Sequence, residues 1–306
     1  MNQKLKSMDI IKGIGIIMII IVHNRHFIMQ DMSGLRPLIN FGQMGCQLFF
    51  FVSGFTLCLS WEHITDSKSD RFHVSKGLRF ILRRYVRLAP GFLIFMMVNL
   101  GLNILFINIL NFPSGFIMNR KLPAILTNIF FVHGLFPDYI NSVFPGGWYI
   151  GTSFLLYITF PLLYAIFNRL RRIHTLCMTA VPAVLLLLNC VLLQWMSKMP
   201  ENELYLGNNT FLYFFFTNHI VCFCLGILLF FQKTKCPLMI SLLFFVLSTG
   251  ICIYLFMNPY NDYTYAVIPS FAGLSAYWLA SALIHFEKKS AGKYSFLADC
   301  GRNSYG

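Results

Sequence analysis

The sequence predicts an all-α membrane protein whose chain crosses the bilayer several times. Of its 306 residues, 57% are hydrophobic and only 11% are charged, against about 25% charged residues in a soluble domain. Eight apolar runs are long enough to cross a hydrocarbon core of about 30 Å as helices. These runs are 10–28, 41–61, 88–112, 148–167, 177–196, 211–231, 237–256 and 264–284. We therefore expect a helical bundle with at least eight transmembrane helices, in a single integral-membrane domain over residues 1–306.

The distribution of positive charge predicts the orientation of the chain. With a cytoplasmic N-terminus, the inner segments hold 19 of the 24 lysine and arginine residues. The outer segments hold the other five, which are Arg25, Arg36, Arg120, Lys121 and Lys198. This bias follows the positive-inside rule. It accounts for the net charge of +13 without a nucleic-acid partner.

Two segments at the borders of the spans need separate interpretations. The first apolar run ends in His23, Asn24 and Arg25 rather than in a small-residue cleavage site, which favours an uncleaved helix over a signal peptide. The segment 124–136 is too short to span, and a crossing there would reverse the charge bias of all later loops. It is therefore interpreted as an interfacial or re-entrant piece on the outer side.

The remaining features indicate packing rather than chemistry. The nine cysteines lie mostly inside the spans without metal-like spacing, and we interpret them as small packing residues, with no metal site. The last residues, LADCGRNSYG, resemble the approach to another helix. Either a further span follows the truncated end of this chain, or Tyr305 and Gly306 are a true terminus.

The first span carries ionisable residues on one face. Lys12 and His23 are eleven positions apart, which is three helical turns plus about 20° and a rise of about 16 Å. Asp9 lies within about 40° of His23. Ionisable residues in a span usually line a protein interior or a water-filled path, and Gly13 and Gly15 permit close approach of a helix or ligand. Alternatively, Lys12 snorkels to the inner interface and His23 lies at the outer one, with no chemical role.

A basic helix face precedes the third span. Its members are spaced by one, three or four residues: Lys76, Arg79, Arg83, Arg84 and Arg87. Anionic lipid headgroups at the cytoplasmic surface are one explanation of this charge. A phosphate-binding site is the other, because guanidinium groups bind phosphate oxygens in bidentate fashion.

Several sequence blocks, in order along the chain, resemble those of a known family. They are Lys12 and His23 with ten residues between them, LFFFVSGF (48–55), Arg84-x-x-Arg87 before Pro90, WYIGTSFLLYITFP (148–161) and the final GRNSYG. In these blocks the chain resembles the acyltransferase family 3 membrane proteins, bacterial acyl-CoA-dependent O-acyltransferases. It departs from many members at Ser153 and Phe154, where they carry a glutamate, so no role of that carboxylate is carried over.

The resemblance implies an enzyme of the bacterial inner membrane that uses cytoplasmic acyl-CoA as co-substrate, without a permanently bound cofactor. The acyl group would be acetyl by family frequency, and the acceptor a hydroxyl of a cell-surface glycan or a related molecule. The donor-binding residues would be Lys12, Arg83, Arg84, Arg87 and Ser53. His23 would be the general base, because imidazole titrates near neutrality. Asp9 would pair with Lys12. The residues themselves place Asn24, His26, His133 and Trp148 on the acceptor side. The alternatives are a packing role for Ser53 beside Gly54 and an interfacial aromatic belt for Trp148.

Several alternatives stay open at this level. Direct transfer in a ternary complex is preferred, with an acyl-histidine intermediate at His23 as the alternative. A proton-coupled transporter or flippase would also suit many spans with an intramembrane histidine and lysine. The third reading is a silent sensor that binds acyl-CoA or a lipid without turnover.

Overall fold

The structure, a computed structural model, describes residues 6–24, 33–64, 74–109, 121–143, 146–196, 210–232, 236–258, 262–289 and 296–303. All regular secondary structure in these ranges is helical, which confirms the predicted all-α fold. The helices are α1 (Lys6–His23), α2 (Arg36–Phe41), α3 (Gly45–Ile64), α4 (Val74–Ile104), α5 (Leu122–Ile129), α6 (Trp148–Ile173), α7 (Ala180–Met196), α8 (Thr210–Phe214), α9 (Phe216–Gln232), α10 (Leu238–Met257), α11 (Asp262–Lys289) and α12 (Phe296–Asn303).

Seven helical segments in the described ranges have the length and apolarity of a membrane span. They are Arg36–His63, Val74–Ile107, Trp148–Ile173, Thr175–Met196, Phe211–Gln232, Leu238–Met257 and Val267–Glu287. Each contains or overlaps one of the predicted runs, so a multi-pass helical bundle is confirmed. The run predicted over 10–28 corresponds to α1, which is helical for 18 residues but carries three charged residues, Lys6, Asp9 and Lys12. Residues 25–28 of that run lie outside the described ranges.

The segment predicted not to span forms the short helix α5. Its eight residues extend about 12 Å, far less than a hydrocarbon core. Pro123 stands in its first turn, where a missing N–H costs no helical hydrogen bond. The position of this segment on the outer side stays a prediction.

The chain divides into two compact units. The first comprises Met1–His63, Leu163–Gln194 and Thr217–Gly306, and the second comprises Ile64–Leu162 and Trp195–Phe216. The first unit therefore contains α1, α3, α7, the body of α9 and α10 to α12. The second contains α4, α5, the first half of α6 and α8.

Glycines let helices of the first unit cross with their backbones in contact. A Cβ added to Gly54 of α3 would lie 2.0 Å from the Phe223 carbonyl oxygen on α9. A Cβ on Gly226 of α9 would lie 2.0 Å from the Phe51 carbonyl oxygen on α3. Small residues at such crossings allow the close van der Waals packing on which helix association in a membrane depends.

Candidate active site

Helix α1 carries Lys12 and His23 without interruption, so their rise of about 16 Å along one stripe holds in the structure. Lys12 is half-buried, whereas His23 is exposed at the last residue of the helix. Asp9 is buried one turn before Lys12. The stripe thus begins in the packed half of α1 and ends at its exposed end.

A backbone carbonyl orients the His23 ring. Nδ1 of His23 lies 2.8 Å from the carbonyl oxygen of Ile19, and because that oxygen can only accept, Nδ1 carries the proton. In the neutral imidazole, Nε2 is then the nitrogen with the lone pair. The neighbouring Asn24 donates from Nδ2 to the Ile20 carbonyl oxygen at 2.8 Å. His26 lies outside the described residues.

The two glycines of α1 face protein backbone and side chains. A Cβ on Gly13 would lie 2.0 Å from the Leu297 carbonyl oxygen of α12. A Cβ on Gly15 would lie 3.1 Å from the Gly45 carbonyl oxygen and 3.1 Å from the Phe49 ring. The close approach that the sequence predicts at these glycines is therefore made by other helices.

Ser53 lies half-buried beside the α3–α9 crossing. Its carbonyl oxygen accepts a hydrogen bond of 3.3 Å from the Thr56 hydroxyl. The next residue, Gly54, makes the backbone contact with α9 described above. The glycine of this block thus has a packing role, and the donor contact of Ser53 stays a prediction.

In the second unit, the arginines of α4 differ in their surroundings. Arg83 and Arg87 are exposed, whereas Arg84 is half-buried. The Arg84 guanidinium carbon lies 5.2 Å from the centre of the Phe80 ring, a cation–π distance. Phe80 is fully buried and stacks on Phe160 of α6 with ring centres 5.2 Å apart. A buried aromatic ring therefore lies against the guanidinium end of the Arg84 side chain.

His133 is fully buried in the second unit. Its Nε2 donates to the Gly147 carbonyl oxygen at 3.0 Å, and its ring contacts Gly151, where a Cβ would lie 2.6 Å from Nε2. Phe92 of α4 is near-parallel to the ring, at 6.1 Å. Phe131, at φ +58°, turns the chain after α5 and leads into His133. Burial lowers the pKa of the His133 imidazole, and the bond to Gly147 opposes this effect.

Trp148, the first residue of α6, is also buried. Its ring stacks on Phe214 of α8 with centres 4.4 Å apart. The other aromatic neighbours are Tyr149 and Tyr213. Trp148 thus packs the start of α6 against α8. Its contact with an acceptor stays a prediction.

Comparison with protein families decides the assignment. The family model described as an acyltransferase domain, that of acyltransferase family 3, matches residues 5–306. The chain belongs to acyltransferase family 3. With its membrane-spanning helices, this family 3 protein is a multi-pass membrane acyltransferase. No curated protein and no solved structure matches the chain.

This chain lacks the glutamate that many family 3 members carry, and the corresponding positions lie in α6. Ser153 and Phe154, which stand at its expected positions, are both buried. Phe154 packs against Phe131 and Tyr85. An apolar ring therefore occupies one of the two places where many family 3 members have a carboxylate.

Sequence reasoning missed a buried polar cluster of this family 3 protein in the first unit. His219 of α9 is fully buried, and its ring centre lies 4.7 Å from that of Phe50. The preceding residue, Asn218, accepts a hydrogen bond of 2.8 Å at its side-chain oxygen from the side-chain amide of Asn189 on α7. The only signal is the polar run TNH at 217–219 near the start of an otherwise apolar span.

Proposed function

We propose that this family 3 protein transfers an acyl group, acetyl by family frequency, from cytoplasmic acyl-CoA to a hydroxyl of a cell-surface glycan or related acceptor. The observation that carries this function is the hydrogen bond from His23 Nδ1 to the Ile19 carbonyl oxygen. It leaves Nε2 as the proton acceptor, on the same helical stripe as the half-buried cation Lys12.

The chemistry assigned to His23 is general base catalysis. Nε2 takes the proton of the acceptor hydroxyl while the hydroxyl oxygen attacks the thioester carbonyl. The tetrahedral intermediate collapses with cleavage of the carbon–sulfur bond, and the imidazolium returns its proton to the departing thiolate. The products are an ester and free CoA, so His23 ends each cycle neutral. This direct route predicts no acyl group on His23.

The assigned role of Arg84 and Arg87 is to bind the phosphates of the donor, with Arg83 adding positive charge. Guanidinium groups suit this role because they present paired N–H donors to phosphate oxygens. The Phe80 ring supports the Arg84 side chain. Since α1 and these arginines belong to different units, the two roles are tested by separate variants.

The base is tested with purified protein in lipid nanodiscs, labelled acetyl-CoA and glycan acceptors from the envelope. We expect His23→Ala to lower transfer at least 10²-fold, because a positioned general base contributes about 10²–10⁴-fold. The matched control is His63→Ala, which removes an exposed histidine at the end of α3. Full transfer by His23→Ala, or an acyl label trapped on His23, would contradict this mechanism. Glycan transport that persists in His23→Ala without thioester loss would instead indicate a carrier.

The phosphate site is tested by donor affinity. The double variant Arg84→Ala/Arg87→Ala should weaken acetyl-CoA binding about 10²- to 10⁴-fold, since charge-assisted hydrogen bonds contribute about 1.5–3 kcal/mol each. The control Arg169→Ala/Arg172→Ala removes the same charge from the exposed end of α6. Equal acetyl-CoA affinity in the two double variants would refute the phosphate site.

A further inference from the structure

The start of α1 is capped by a carboxylate from far along the chain. Glu287 near the end of α11 accepts a hydrogen bond from the Lys6 backbone N–H at 2.7 Å and another from the Ser7 N–H at 3.3 Å. The first N–H groups of a helix have no partner inside it, and its N-terminus attracts negative charge. Glu287 therefore fixes the point at which α1 begins.

The same part of α1 packs on α12 through two glycines. A Cβ on Gly301 would lie 1.7 Å from the Asp9 carbonyl oxygen, and one on Gly13 would lie 2.0 Å from the Leu297 carbonyl oxygen. Real Cβ atoms essentially never approach another heavy atom closer than 3.0 Å. The two helices therefore cross at a separation that requires glycine on both sides.

We propose that Glu287 and Gly301 are positioning residues for Lys12, a role that rests on the proposed function. The cap at Lys6 sets the height of α1, and the contacts at Asp9 and Gly13 set its distance from α12. Lys12 lies between these fixed points and precedes Gly13 directly. The half-buried residue Lys12, which is assigned to the donor, is thus held in place by residues more than 270 positions later in the chain.

The expected displacement follows from the contact distance. In Gly301→Ala, the new Cβ must move about 1.7 Å farther from the Asp9 oxygen to reach the 3.4 Å of an ordinary contact. Loss of one charge-assisted hydrogen bond costs about 10- to 100-fold in affinity. We expect acetyl-CoA affinity to fall within this range, whereas the acceptor KM stays unchanged because Lys12 is assigned to the donor and not to the acceptor.

The role of Glu287 at the start of α1 can be tested by comparing its removal with a conservative substitution. Glu287→Ala removes both acceptor oxygens, whereas Glu287→Gln keeps one oxygen at the same distance from the backbone. We expect Glu287→Ala to weaken acetyl-CoA binding about tenfold and Glu287→Gln to recover most of this loss. Hydrogen exchange at residues 6–13 should become faster in Glu287→Ala and Gly301→Ala, because both changes loosen the start of α1.

The matched control is Gly250→Ala on α10, where an added Cβ meets nothing within 4 Å. Acetyl-CoA dissociation constants are measured for all variants that elute as folded, monodisperse protein, together with the acceptor KM. Equal donor affinity in Gly301→Ala and Gly250→Ala would overturn the positioning role. It would also be overturned if the acetyl-CoA dissociation constant and the acceptor KM rose by the same factor. A wild-type protein that binds acetyl-CoA without transferring acetyl would refute the proposed function alone. A wild-type protein that binds no acyl-CoA would overturn both.

Discussion

The crossing of α3 and α9 offers a quantitative test of the packing. Gly54→Ala and Gly226→Ala each place a Cβ 2.0 Å from a carbonyl oxygen of the opposite helix, that of Phe223 or Phe51. To reach an ordinary contact of 3.4 Å, the helices must separate by about 1.4 Å. Backbone atoms form this contact, so no side-chain rotation can relieve it.

The expected cost is set by overpacking. Extra methyl groups forced into a well-packed interior cost about 1–3 kcal/mol, so each single variant should lower the free energy of unfolding by about 2 kcal/mol. The double variant Gly54→Ala/Gly226→Ala should lose less than the sum, since one separation of the helices relieves both clashes. Gly250→Ala should instead gain up to about 1 kcal/mol, because alanine has the higher helix propensity and its methyl group meets nothing within 4 Å.

The assay is equilibrium unfolding of the purified variants in mixed micelles, with the free energy of unfolding taken from the denaturant dependence. A Gly54→Ala protein as stable as Gly250→Ala would refute the close crossing. If the losses in free energy of unfolding of the two single variants add up fully in the double variant, one separation of the helices does not relieve both clashes. The first result would also remove the structural reason for a glycine in the SGF block of α3.

Three further predictions concern individual side chains. Burial lowers the pKa of His133 in the folded state, so the fold favours the neutral imidazole. The stability that depends on neutral His133 is fully present above the usual histidine pKa of about 6.5 and is lost as the pH falls below that value. His133→Gln should show a smaller decrease in melting temperature between about pH 7.5 and 5, and an unchanged decrease would contradict this. Arg84→Ala should lower stability by about 1 kcal/mol more than Arg87→Ala, because Arg84 is half-buried over the fully buried Phe80 ring, whereas Arg87 is exposed; equal melting temperatures would argue against that support. Asn218→Leu should cost about 1–3 kcal/mol by removing the acceptor of Asn189, and a double-mutant cycle with Asn189→Leu should show coupling between the two amides.

The apolar runs predicted the membrane helices well, because a bilayer requires about 20 apolar residues from each span. The prediction is poorer where a helix leaves the apolar region. The apolar run over 88–112 indicates only the later part of α4, which starts at Val74, and the earlier part is predicted instead from the basic helix face that begins at Lys76. The first turns of α4 carry lysine and arginine, which form helices readily but have no hydropathy signal. Within the run 10–28, α1 is described as far as His23, and residues 25–28 lie outside the described part of the chain.

At the candidate site, spacing alone placed Lys12 and His23 on one face, since a continuous helix fixes both angle and rise. Spacing could not identify the partners of Gly13 and Gly15, because these come from α12 and α3. His219 was missed for a different reason. A short polar run such as TNH at 217–219 barely changes the mean hydropathy of a span of about 20 residues, and hydropathy does not show whether its side chains are buried.

The contacts of α1 with α11 and α12 determine when the first unit can finish folding. Glu287, Leu297 and Gly301 are translated about 280 residues or more after the residues of α1 that they contact. Although domains usually fold as synthesis proceeds, α1 must wait for these distant residues before its packing partners exist. Insertion into the bilayer and completion of the first unit are thus separate events.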